Sequence, residues 1–243
     1  MEKTPNKYES GQVLLVNKEY RWTSFDAVRK LRNTMRIKKV GHAGTLDPLA
    51  TGLLIICTGK FTKRINEFMA QEKEYTGTIT LGATTPTYDL ESDPQDFKPI
   101  DHLTPEEIRS ATQPFIGTIQ QLPPAHSAIK KDGKRLYELA RAGKEVTLEP
   151  RTINISAFDI TRIAGAEVDF RVVCGTGTYI RSLANDFGAA LGVGGYLSAL
   201  CRTRIGAFLN SDAKSVGEWE TIIRADVERT NPAGGAGQAP DLL

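Results

Sequence analysis

Long apolar runs are what this chain most lacks. No stretch approaches the ~20 residues that a membrane-crossing helix requires, and residues 1–7 carry no apolar core of a secretory signal. The sequence therefore reads as cytoplasmic. Cysteine is scarce too: Cys57, Cys174 and Cys201 are widely spaced, which supports neither a disulfide framework nor a zinc site. Charge of one sign is not in excess, with 31 Lys and Arg against 29 Asp and Glu. Affinity for a polyanion must come from local clusters and not from the net charge of +2. What remains is ordinary globular material, 243 residues at 40% hydrophobic and 25% charged, enough for a sizeable core. Strands and helices follow one another without repeat, which predicts an α+β fold on a mixed or antiparallel central sheet. Residues 1–230 read as one domain and 231–243, rich in Gly, Ala and Pro, as a flexible tail.

The most constrained stretch is Gly41-His42-Ala43-Gly44-Thr45-Leu46-Asp47-Pro48-Leu49-Ala50-Thr51-Gly52. Its glycines, proline and short polar side chains describe a loop with backbone angles dictated position by position. The apolar Leu53–Cys57 behind it reads as a buried strand, and a loop leaning on a strand can present a side chain rigidly. On spacing alone, Asp47-Pro48 also fits the opening of a helix, with the carboxylate as N-cap, and His42 fits a hydrogen-bonded structural histidine.

Along the chain, 11–18 reads as a strand. Thr23 with Asp26 forms a capping-box start for a helix from Ser24 to about Arg32. From Arg29 to Lys39 six basic residues occur without an acid, either a solvated face or a phosphate-contacting one. Lys60, Lys63 and Arg64 open a short helix to Met69. Tyr75, Gly77, Ile79 and Leu81 alternate with threonines as a half-buried strand. Residues 82–100 read as a long polar loop containing Asp89. Thr104-Pro105-Glu106-Glu107 starts a helix expected to end near Gln113. The stretch 120–151 is basic and poor in apolar residues, with a helix predicted from about Arg135 to Ala142. A strand at 167–174 then turns through Gly175–Thr178 into a helix with a buried stripe of Ile180, Leu183, Ala184, Phe187 and Leu191. Arg181 falls in its first turn, where the helix dipole disfavours a cation by roughly 0.3 to 1 kcal/mol, so it calls for an anion.

The run GHAGTLDPLATGLL resembles the signature loop of the TruB family of tRNA pseudouridine synthases, and further segments from Gly11 to about Gly206 agree in order and spacing. This resemblance implies a large curved sheet flanked by helices with an RNA-binding insertion at about 120–151. It implies Asp47 as the catalytic residue, Arg181 pairing with it, and Tyr75 and Tyr179 lining the pocket. His42, Lys63, Lys130, Lys131, Lys134, Arg135, Arg141 and Arg202 are its RNA-contacting positions, Arg202 lying in a motif that closes the pocket. The implied reaction converts a uridine of the tRNA T-loop to pseudouridine, with no cofactor and no metal. The implied partner is the T-arm of tRNA, met by a monomer with no membrane or obligatory protein partner. Many relatives continue into a second small RNA-binding domain where this sequence stops, so the resemblance is to a short form. Glu19 and Arg21 stand where the family commonly has Pro and Gly, and His126 where tyrosine is frequent. Another RNA as substrate, or a non-catalytic RNA-binding protein, remain as alternative readings.

Overall fold

The computed structural model describes residues 6–124, 130–131, 134–135 and 149–230. In chain order the first elements are α1 (Lys7–Ser10), β1 (Val13–Lys18), α2 (Ser24–Met35), β2 (Val40–Ala43), β3 (Ala50–Thr58) and α3 (Ile65–Met69). Next come β4 (Lys73–Leu81), α4 (Pro105–Ser110), β5 (Gly117–Gln121), β6 (Lys130–Lys131) and β7 (Lys134–Arg135). The last are β8 (Arg151–Ala164), β9 (Glu167–Cys174), α5 (Ile180–Ala190), β10 (Gly195–Ile205), β11 (Phe208–Leu209), β12 (Lys214–Ser215) and α6 (Val216–Thr230). The arrangement is α+β, with strands of mixed direction and helices, as the irregular order of elements predicted. Contacts divide the chain into two compact units, one of residues up to Met69 together with those from Ala207, the other Ala70–Gly206.

In the first unit β1 runs antiparallel to β3, from Val13 opposite Cys57 to Lys18 opposite Gly52, and parallel to β12. Strand β2 lies antiparallel on β3, with Ala43 opposite Ile55. Leu53–Cys57 are wholly buried, which is why that run shows no polar alternation. Helix α2 begins with the predicted capping box, Thr23 Oγ1 accepting from the Asp26 N–H and the Asp26 carboxylate accepting from the Thr23 N–H. It outlasts the predicted end at Arg32 because Leu31 and Met35 continue the stripe of Ala27 and Val28 into the core. Arg36, in the left-handed conformation at φ 55°, stops it. Helix α6 is started by a reciprocal pair between Ser215 and Glu218 and adds Val216, Ile223 and Val227 to the same core.

In the second unit β4 is flanked by β10 and β9, β9 pairs β8, and β8 pairs β5, all antiparallel. Phe158 meets Phe170, Phe187 and Phe115 edge to face, a geometry that aromatic quadrupoles favour. Helix α5 packs closely on β10: a Cβ on Gly188 would stand 2.1 Å from the Gly195 nitrogen, so the helix can approach only without a side chain there.

Three further boundaries differ from the sequence reading. Helix α4 has its capping box of Thr104 and Glu107 but stops at Ser110, and a separate 3-10 turn covers Gln113–Phe115. Pro114 lacks an N–H and disfavours helical angles at Gln113, so one continuous helix cannot pass. The helix expected from Lys60 to Met69 is a 3-10 segment, Gly59–Arg64, followed by α3. The loop expected over residues 41–52 is confined to 44–49, because Val40–Ala43 and Ala50 onward both pair within a sheet.

Candidate active site

The turn that presents Asp47 joins β2 to β3. Gly44 leaves β2 at φ 90°, a conformation costly for a residue with a Cβ. The Asp47 carbonyl accepts the Ala50 N–H at 3.1 Å, which makes 47–50 a β-turn with Pro48 at the position proline favours. The alternative reading of Asp47-Pro48 as a helix opening therefore fails, since a strand and not a helix starts at Ala50. Asp47 itself is half-buried.

Both neighbours of Asp47 are held by polar clamps from residues 18–24, which run from the end of β1 to the first residue of α2. Ser24 Oγ, itself buried, accepts the Leu46 N–H at 2.9 Å and donates to the Leu46 carbonyl at 3.2 Å. The Pro48 carbonyl accepts the Arg21 N–H at 2.8 Å and faces Lys18 Nζ at 3.4 Å. Lys18 is fully buried, and its ammonium also donates to the carbonyls of Glu19 and Trp22 at 2.9 and 2.6 Å. One buried cation thus gathers the 19–22 loop and the Asp47 turn, a use that suits its three N–H donors. The sequence reading singled out neither Ser24 nor Lys18 for this role; long-range bonds to backbone carbonyls leave no local pattern.

In the second unit Tyr75 lies on β4 opposite Arg202 of β10 and is 9% exposed. Arg202 is 1% exposed, so the RNA contact expected of it would require that burial to be opened. Tyr179 is the residue before α5, and its backbone is bracketed by the Gln121 side chain, which accepts the Tyr179 N–H at 2.9 Å and donates to its carbonyl at 3.0 Å. Arg181 is buried in the first turn of α5. The anion that a cation in this position calls for includes Asp89, whose Oδ2 lies 3.7 Å from Arg181 Nε. Arg181 also donates to the Thr87 carbonyl at 3.3 Å. Thr85, Thr87 and Asp89 are all buried, so the stretch expected to be a polar loop is in part interior. Asp89 is anchored in turn, its Oδ1 accepting the Glu91 N–H at 3.0 Å.

Of the remaining expected RNA contacts, Lys63 is exposed on the 3-10 segment after β3, and His42 is half-buried on β2 opposite Ile56. The backbones of Lys130, Lys131, Lys134 and Arg135 pair as a two-stranded ladder, Lys130 with Arg135 and Lys131 with Lys134. Arg135, where a helix was expected to begin, is thus a strand residue, while Arg141, His126 and the rest of that predicted helix, 136–142, lie outside the described residues. Cys57, Cys174 and Cys201 are free thiols; burial pushes Cys57 and Cys174 up to about 11.

An α+β fold with a carboxylate on a clamped turn and a buried arginine–carboxylate pair places the chain among RNA-modifying isomerases once its relatives are compared. Residues 32–180 match the TruB family pseudouridylate synthase N-terminal domain, and the chain belongs to the TruB family. It is similar to tRNA pseudouridine synthase B of Flavobacterium johnsoniae, 55% identical over 212 residues that cover 84% of this chain and 93% of the relative. It is also similar to tRNA pseudouridine synthase B of Bacteroides fragilis, 51% identical over 230 residues, 91% of this chain and 98% of the relative. Among solved structures, a chain of a Cbf5-Nop10-Gar1 complex aligns with TM-score 0.69 at 28% identity, covering 94% of this chain and 61% of that one. A chain of the archaeal box H/ACA sRNP Nop10-Cbf5 complex aligns with TM-score 0.67 at 25% identity, covering 93% and 58%. This chain therefore spans only about three fifths of those two.

Proposed function

We propose that the chain converts uridine 55 in the T-loop of tRNA to pseudouridine. The observation that carries this reading is the Asp47 turn, clamped on both sides by Ser24, Lys18 and Arg21 within a chain half identical to two proteins named tRNA pseudouridine synthase B. On this reading the target base is flipped out of its loop, which requires aromatic surface for it to rest on, supplied by Tyr75 and Tyr179, and support for the vacated space, assigned to His42. Asp47 acts at the ribose as nucleophile or base while the bond from uracil N1 to C1′ breaks. The freed ring turns, C5 bonds to the same carbon, C5 gives up its proton and N1 gains one, so atoms balance and no cofactor or metal enters. Arg181, kept in place by Asp89 and the Thr87 carbonyl, brings a fixed positive charge to the reaction. Lys63 and the basic residues Lys130, Lys131, Lys134, Arg135 and Arg141 serve the RNA backbone. The chain acts as a monomer.

The deciding experiment is Asp47→Asn, which keeps size and turn-forming capacity and removes the anion. With enzyme in excess over tRNA, product should vanish while tRNA binding persists. Pseudouridine formed at the wild-type rate would overturn the assignment.

A further inference from the structure

Two large aromatic side chains face solvent where the chain passes from β1 into α2, Tyr20 in the connecting loop at 50% exposure and Phe25 in the first turn of α2 at 60%. Each carries an arginine over its ring: Arg21 lies 5.6 Å from the Tyr20 centroid and Arg29 6.0 Å from that of Phe25. The backbone at Arg21 is left-handed, φ 66°, a conformation that any Cβ makes unfavourable and that glycine adopts freely. The Arg21 N–H is fixed to the Pro48 carbonyl at 2.8 Å, so the side chain is held in register with the turn that carries Asp47. Arg29 is paired with Asp26 at 2.8 Å. The exposed guanidinium of Arg21 has no ion pair among the described residues.

We propose that Tyr20, Arg21 and Phe25 form an RNA-stacking surface beside the Asp47 turn, which grips bases next to the target uridine. The inference rests on the functional reading above, which uses only the Arg21 main chain, and extends it to the Arg21 side chain and to Tyr20 and Phe25. Splayed RNA bases are recognised by stacking on aromatic rings and on guanidinium planes. Here both kinds of plane are exposed, adjacent and tied to the reacting loop. An arginine accepted at a glycine-favoured backbone position is accounted for if its side chain contributes outside the fold, and a planar cation without an internal anion is matched by a base face and its phosphate. A protein partner with an acidic surface would use the charge but not the two rings.

The test uses the full chain with Arg21→Gly, Arg21→Lys, Tyr20→Ala and Phe25→Ala, a fluorescent T-stem-loop RNA and a salt series. Arg21→Gly relaxes the backbone, so its melting temperature should be unchanged or higher. Its dissociation constant should nevertheless rise, by about five- to 150-fold for one lost stacking contact, and Tyr20→Ala should behave likewise. Arg21→Lys should keep the salt dependence but not the affinity, since the charge survives and the plane does not. Affinities of Arg21→Gly and Tyr20→Ala within twofold of wild type, with wild type binding and modifying the stem-loop, would overturn the proposal. A loss that follows Arg21→Gly but spares both ring variants would assign the surface to charge alone and overturn the stacking role. A wild-type chain that neither binds nor modifies the stem-loop would instead overturn the functional reading.

Discussion

Ser24 Oγ satisfies both polar groups of the Leu46 main chain, the N–H at 2.9 Å and the carbonyl at 3.2 Å. Leu46 is buried, and Asp47 is the next residue. Ser24→Ala would leave a buried donor and acceptor unmatched, at a cost of roughly 1 to 3 kcal/mol each at most. The larger expected effect is on geometry, since a displacement of about 1 Å can lower a rate on the order of a hundredfold. We expect kcat for pseudouridine formation to fall about ten- to a hundredfold with KM nearly unchanged. A kcat within twofold of wild type would show that Ser24 only helps the fold.

Asp89 and Arg181 are 3% and 5% exposed, with Oδ2 and Nε 3.7 Å apart. Removing one charge of a buried pair is costlier than the pair's net worth, because the other charge stays in a poor dielectric. Asp89→Asn should therefore lower stability by about 1 to 3 kcal/mol in urea unfolding, and catalysis should fall with it as Arg181 loses its orientation. Unchanged stability would mean that the Thr87 carbonyl and the rest of the surroundings hold Arg181 unaided.

The capping boxes at Thr23 and Thr104, the buried run at Leu53–Cys57 and the alternation of β9 were legible because each is a local pattern. The boundaries that shifted depended on partners elsewhere. Gly41 and His42 are poor strand formers, yet they pair with Cys57 and Ile56, and tertiary pairing outweighs their propensity. Arg181 was legible as a first-turn cation that needs an anion, whereas its Asp89 partner sat in a stretch whose polarity concealed its burial. Lys18, Ser24 and Gln121 left no trace, because each acts on the backbone of residues 22 to 58 positions distant or on the loop beside it, and a main-chain carbonyl has no identity in a sequence.

Acid should weaken the sheet of the second unit in part through Asp169. The Arg162 guanidinium, with the Thr78 hydroxyl, holds its carboxyl below the usual range. A carboxylate with a depressed native pKa contributes stability that is fully present above its unfolded pKa, near 4, and lost as pH falls through the native value. The urea midpoint of the wild type should hence drop between about pH 5 and pH 3. Asp169→Asn should lower the midpoint at pH 7 and flatten that acid decline. Parallel wild-type and variant curves over this range would show that Asp169 contributes nothing to it.

The basic stretch from Arg29 to Lys39 divides by its partners. Arg29 is paired with Asp26 at 2.8 Å and Lys30 with Glu220 at 3.1 Å, so their charges are already answered within the protein. Arg36, Lys38 and Lys39 are exposed, and no ion pair among the described residues includes them. Unanswered cations on the approach to β2 are the ones able to release counterions from RNA, and each phosphate contact adds about 0.7 to 0.9 to the slope of log affinity against log salt. Lys38→Glu with Lys39→Glu should thus reduce the slope by roughly 1.4 to 1.8 and weaken tRNA binding at low salt far more than at high salt. Lys30→Ala should leave the slope nearly unchanged and cost the fold no more than about 1 kcal/mol, the usual worth of an exposed pair. Should the Lys30 variant alter the slope as much as the double variant, internal pairing would not be what selects the phosphate contacts, and the whole stretch would act as one diffuse positive face.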